Sequence, residues 1–177
     1  MPNQKLSSCK ESIKNCIEKK PITFMKLVSE TQCASETVEK YLSEFLKEMT
    51  IHEKKGKFRI IYSPDVDEEV VEFYELMLNP TVKALVLVLL KVNKPISQIE
   101  LVATIDKSNP SVSRGLKILL QNQIIKRNYH APFSTYECNN KNKVFRMLEK
   151  THPVIVENFE KFDVCYPKPT IFLEIHQ

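Results

Sequence analysis

Apolar residues open the chain at helical spacing. Leu6, Cys9, Ile13, Cys16 and Ile17 fall on one face, which predicts an amphipathic helix over residues 5–19. Pro21 ends it, and Ile22, Met25 and Val28 mark a shorter second helix. After a polar stretch at 31–33, Ser35 is placed to cap a third helix with a buried stripe of Val38, Leu42, Phe45, Leu46 and Met49. Then the period shortens. Ile51-His52-Glu53, a tip at Lys54-Lys55-Gly56-Lys57, and Phe58-Arg59-Ile60-Ile61-Tyr62 predict a β-hairpin.

The same succession returns 74 positions later, without a gap. Pro21 and Ile22 fall on Pro95 and Ile96, Leu27 and Val28 on Leu101 and Val102, and Thr37 and Val38 on Ser111 and Val112. Lys40 falls on Arg114, while Leu42, Leu46, Ile51 and Tyr62 fall on Leu116, Leu120, Ile125 and Tyr136. A match held at core-forming positions over such a span implies one supersecondary unit used twice. The second copy predicts a helix near 80–92, a shorter one at 97–105 and a turn at 106–109. Its third helix starts near Pro110 and buries Val112, Leu116, Leu119 and Leu120. A longer hairpin follows, with strands at 124–127 and 135–139 and a tip at 128–134.

Between the copies, Val66, Val70, Phe73, Tyr74 and Met77 lay an apolar stripe along an acidic connecting helix, and Asn79-Pro80 separates it from the next. Past residue 142, Val144, Phe145, Met147 and Leu148 predict one helix, and Val154, Ile155, Phe159 and Phe162 another after Pro153. Residues 170–175 read as a short strand or extended tail.

Three helices followed by a hairpin is the order of a winged helix-turn-helix domain. The expected architecture is therefore mainly α with small β-hairpin wings: two tandem winged helix-turn-helix domains plus C-terminal helices. The first domain is expected at 1–64, the acidic connector at 65–79, the second domain at 80–142 and a dimerisation extension at 143–177.

Charge sharpens this division. Residues 1–64 hold 12 basic and 8 acidic groups, 65–78 hold six acids and no base, and 79–142 hold 9 bases against 3 acids. Two basic modules flanking an acidic segment suit a polyanionic partner. Only 2 glycines occur in 177 residues, which favours helices over phosphate-cradling loops. No nucleophile elbow or His-Glu-x-x-His helix is present, so no enzyme is expected. The charged N-terminus and the short apolar run at 82–90 predict a soluble cytoplasmic protein with no membrane association. Five cysteines without a Cys-x-x-Cys pair predict reduced thiols, and Cys9 and Cys16 small buried ones. Without clustered ligands, no metal or other cofactor is expected.

The third helix of a helix-turn-helix unit enters the major groove, about 12 Å wide. In the second copy it exposes Lys107, Ser108, Asn109, Ser111, Ser113, Arg114 and Lys117, with no acid between Lys107 and Glu137. Arg114 has the guanidinium that pairs bidentately with guanine, and Lys117 suits a phosphate. The hairpin adds Lys126, Arg127, Asn128 and His130. In the first copy, Glu36, Glu39, Glu44 and Glu48 stand beside Lys40 and Lys47 and oppose phosphate contact. Its hairpin, with Lys54, Lys55, Lys57 and Arg59, reads as a phosphate clamp, leaving the third helix for a protein partner.

The run Asn109-Pro-Ser-Val-Ser-Arg-Gly-Leu-Lys-Ile-Leu-Leu-Gln-Asn-Gln-Ile-Ile-Lys-Arg resembles the recognition-helix signature of ArsR- and MarR-type winged-helix regulators. The likeness covers roughly residues 80–140, and the doubling resembles two-domain archaeal regulators. It implies a transcription factor, a homodimer on double-stranded DNA with a pseudo-palindromic site. The alternative is a tandem winged-helix interaction subunit of a multiprotein assembly.

Overall fold

The computed structural model describes the backbone of residues 3–130 and 132–159, and the side chains of 8–129 and 132–157. The predicted Phe162 position, Cys165 and the tail at 170–175 lie outside it.

Local capping chemistry sets most of the boundaries. The chain begins with helix α1 (Asn3–Lys19), then strand β1 (Ile22–Thr23) and helix α2 (Phe24–Thr31), with Thr23 Oγ1 accepting from the Lys26 amide at 3.4 Å. Helix α3 (Ser35–Lys47) leads to strands β2 (His52–Lys54) and β3 (Ile60–Tyr62). Helix α4 (Glu68–Met77) and helix α5 (Pro80–Lys91) meet at 108°. Asn79 forces that corner, since its side chain accepts from the Thr81 and Val82 amides and Pro80 cannot extend α4. Strand β4 (Ile96–Ser97) precedes helix α6 (Gln98–Ile105), capped reciprocally by Ser97 and Glu100. Those hydrogen bonds from Ser97 hold the Glu100 carboxyl below the usual carboxylate range. Helix α7 (Asn109–Gln121), strands β5 (Ile125–His130) and β6 (Phe133–Cys138), and helices α8 (Lys141–Thr151) and α9 (Pro153–Phe159) complete the fold.

The described residues are mainly helical, with two small antiparallel sheets ordered β1-β3-β2 and β4-β6-β5. The repeat holds at the backbone. The strand β1, helix α2 and helix α3 boundaries return at the same 74-residue offset in β4, α6 and α7. Two pairs of left-handed residues recur as well, Gln32 with Asp106 and Met49 with Gln123, all near φ +50 to +55°. The sheets differ by one residue of register: Ile22 pairs with Ile61, whereas Ile96 pairs with Tyr136.

Three apolar clusters hold the fold together. Ile13, Ile17, Leu27, Val38, Leu42, Phe45 and Ile61 form the first unit's core. Helix α5 is the spine of the second, where Val82, Leu85, Val86 and Leu89 meet Val112, Leu116 and Leu119 of α7, with Phe73, Met77, Val144 and Leu148 closing the sides. Ile60, Val71 and Tyr74 form a smaller cluster where β3 meets α4.

Several details depart from the pattern. Met25 and Met49 are 75% and 77% exposed, because Leu27 takes the core position of α2 and α3 ends at Lys47, before Met49. Ala34, not Ser35, occupies the N-cap of α3. The short strands β1 and β4, two residues each, are too brief to show a period. The second hairpin is strand-paired out to His130 and Phe133, so its tip is much tighter than 128–134. Cys9 and Cys33 form a disulfide, their Cα atoms 6.3 Å apart, correcting the expectation of reduced thiols throughout. The stripe of α8, expected to await a second copy, is covered within the chain by α4 and α5. Among the described residues no single helix is long and apolar enough to cross a membrane.

Candidate nucleic-acid interface

Helix α7 lies against α5 along Val112, Gly115, Leu116 and Leu119. That seating turns Pro110, Ser113, Arg114, Lys117 and Gln121 outward on one face, and all five are exposed. Lys107 and Ser108 are exposed in the turn before it. Arg114, Lys107 and Lys117 have no carboxylate within ion-pairing distance among the described residues. Their charge is therefore available to an external anion.

Two predicted contacts are partly occupied. Asn109 Oδ1 accepts from the Gln98 side-chain amide, which ties the start of α7 to α6. The Ser111 hydroxyl is half-buried, 2.9 Å from that of Ser108. Ser113 carries no such tie and stands beside Arg114.

The second hairpin contributes Lys126, Arg127 and Asn128. Lys126 reaches Glu137 at 3.3 Å, and Asn128 donates to the same carboxylate at 2.7 Å. These two neighbours hold Glu137 below the usual carboxylate range, Asn128 foremost. Arg127 stays exposed and meets no acid among the described residues; its Nε donates to Ser134 Oγ at 2.9 Å. The backbone of His130 pairs with Phe133 at the end of β5, and its side chain lies outside the described residues.

The first unit arranges its charges differently. Arg59 binds Glu39 of α3 and Glu53 of β2, with its guanidinium 4.9 Å from the Phe24 ring centroid. The Glu39 hydrogen bond leads in raising its pKa. Lys54 bonds Glu75 of α4 at 3.0 Å, and Lys55 lies 3.5 Å from Glu53. Lys57, exposed over the Phe58 ring, has no carboxylate partner among the described residues. Of the four cations read as a phosphate clamp, Arg59 is a structural strut within its own unit, Lys54 ties the hairpin to α4, Lys55 pairs at the surface, and Lys57 meets no carboxylate among the described residues. On α3 itself, Lys10 takes Glu44 at 3.3 Å, while Glu36, Lys40, Lys47 and Glu48 remain exposed.

Sequence reasoning passed over Tyr129 and Phe133, both exposed on the second hairpin. Their aromatic character was the available signal, but the sequence reading places both in a loop-like tip at 128–134, where the strand pairing that sets their faces is not visible.

The elements thus define a mainly helical protein with two sheet-bearing units, one carrying an unneutralised basic face. No family model and no curated protein matches this chain.

Proposed function

We propose that the chain is a sequence-specific double-stranded DNA-binding transcriptional regulator built from two tandem winged helix-turn-helix domains, related to the ArsR/MarR-like regulators its second unit resembles. Helix α7 lies in the major groove, Arg114 and Ser113 face base edges, Lys107 and Lys117 meet phosphates, and Arg127 follows the backbone from the hairpin. The observation that carries this reading is the exposed α7 face, whose cations have no carboxylate partners among the described residues. Partnered cations would gain little from phosphates, since an existing ion pair must first be given up.

The test is a binding isotherm on a duplex selected from a randomised pool, read by fluorescence anisotropy across a salt series. Arg114→Ala is expected to weaken specific binding by about 1–3 kcal/mol and to relax preference at one position. Lys117→Ala should weaken all sequences alike and reduce the salt slope by about 1. Unchanged affinity and preference in Arg114→Ala would reject the assignment.

A second reading, a protein-interaction subunit of a larger assembly, is favoured by the first unit alone. Its α3 exposes Glu36, Lys40 and Lys47, with Glu48 exposed at the C-cap, a mixed surface suited to protein. Weak, salt-insensitive retention on duplex DNA would select that reading. A homodimer remains part of the proposal, with its interface outside the covered stripe of α8; light scattering tests it.

A further inference from the structure

The tip of the second hairpin has chemistry that phosphate contact does not use. Tyr129 and Phe133 are each 67% exposed, whereas Ile125, Tyr136 and Cys138 in the same strands are buried. Tyr129 stands opposite Ser134 and Phe133 opposite His130, in adjacent rungs of the ladder. Adjacent rungs point to opposite faces, so the tip is a thin blade with one aromatic ring on each side.

Its surroundings are cationic. Arg127, on the Tyr129 face, places its guanidinium 5.9 Å from that ring's centroid while bonded to Ser134. No acid occurs between Lys107 and Glu137, and Glu137 is engaged by Lys126 and Asn128. A large ring held in water is an unfavourable exposure that a π-stacking partner relieves. A second copy of this hairpin would bring unneutralised Arg127 toward its own like, so the charge selects a polyanion. Nucleic acid offers both flat faces for the rings and phosphates for the arginine.

We propose that the β5–β6 tip is a wedge: Tyr129 and Phe133 press between neighbouring bases of the bound duplex, opening one step and bending the DNA. This rests on the DNA reading of α7 and adds to it a contact with base faces instead of base edges. Pyrimidine–purine steps, which unstack most easily, are its expected target.

The probe is a duplex of about 30 base pairs with one central TA step, 2-aminopurine at that step and an energy-transfer pair at its ends. The parent protein should raise 2-aminopurine fluorescence and shorten the end-to-end distance. Tyr129→Ala/Phe133→Ala should lose both signals and weaken binding about tenfold while keeping the salt slope. Tyr129→Trp/Phe133→Trp should restore them. Both rings are exposed, and circular dichroism of the variants confirms folding. Bending and unstacking that survive the double alanine variant overturn the wedge, as does binding by the parent without either signal; in both cases the DNA reading stands. A double variant that changes self-association in place of DNA geometry overturns it in favour of a second copy. Failure of the parent to bind any duplex overturns wedge and DNA reading together.

Discussion

Gly115 shows how one missing side chain positions a whole face. A Cβ there would stand 2.7 Å from Leu85 Cδ1, closer than packed atoms tolerate, and in ordinary contact with Thr81 Cγ2 at 3.4 Å. Leu85 is fully buried among the α5–α7 contacts, so relieving that approach displaces a core side chain. Gly115→Ala is therefore expected to destabilise the protein by about 1–3 kcal/mol, visible in the urea midpoint. The glycine was visible in the sequence; the reason for it was not, since the facing residues lie some thirty positions away on α5. Charge was legible in the same partial way. Arg59 and Arg114 are the same residue type in corresponding basic settings, yet one is bound by two carboxylates and the other by none among the described residues. Composition counts cations, but only packing decides which already have a partner. Gln32, Met49, Asp106 and Gln123 make a similar point: nothing in a glutamine or methionine announces a left-handed turn, yet the fold places one there twice over.

An element is legible in the sequence where its apolar period is long, and obscure where it is short or its neighbour distant. Helices α1, α3, α5 and α7 were legible because several turns repeat the same face. The edge strands β1 and β4 exist only through pairing with β3 and β6, and so carry no signal of their own. The disulfide belongs to this scale. Helix α1 folds back on the α2–α3 turn, bringing Cys9 beside Cys33 across a separation of 24 residues. Closing a loop of that size restricts the unfolded chain, so reduction or Cys33→Ser should cost about 3 kcal/mol, most of it in the first unit. Urea unfolding with and without dithiothreitol checks this; equal midpoints would mean the bond contributes nothing. Cys138 behaves oppositely: burial pushes its thiol up to about 11, so alkylating reagents should leave it intact in the folded protein.

At the scale of the molecule, the two units meet around Tyr74 and His152. The ring of His152 lies 5.5 Å from that of Tyr74, and its Nδ1 is 2.9 Å from Thr151 Oγ1. Tyr74 lies beside Thr23 of the first unit; burial raises its pKa, and Thr23 opposes that shift. Burial, then the charges of Lys83, Lys26 and Lys20, lower the His152 pKa to about 4. The folded state thus prefers the neutral ring, while the unfolded chain takes up a proton near pH 6.5. Between those values the unfolded state binds more protons, so stability falls as pH drops from about 6.5 to about 4, by on the order of 3 kcal/mol. Above pH 6.5 this contribution is fully present. Unfolding free energies measured across that window should slope for the parent and flatten for His152→Gln. An unaltered slope would show that other groups carry the acid sensitivity. Three of the charges involved come from residues 20, 26 and 83, an arrangement that no local pattern could reveal.

The sequence by itself determined the repeat, the long helices, the two hairpins and the basic bias of the second unit, because each is written in local period, turn chemistry and charge count. Tertiary structure alone decided which cations are spent on ion pairs, that α8 is covered from within, that Cys9 meets Cys33, and that Tyr129 and Phe133 stand in solvent. The physical reason is common to all four. Partnership and exposure depend on distances between residues remote along the chain, and those distances exist only once the apolar faces have closed.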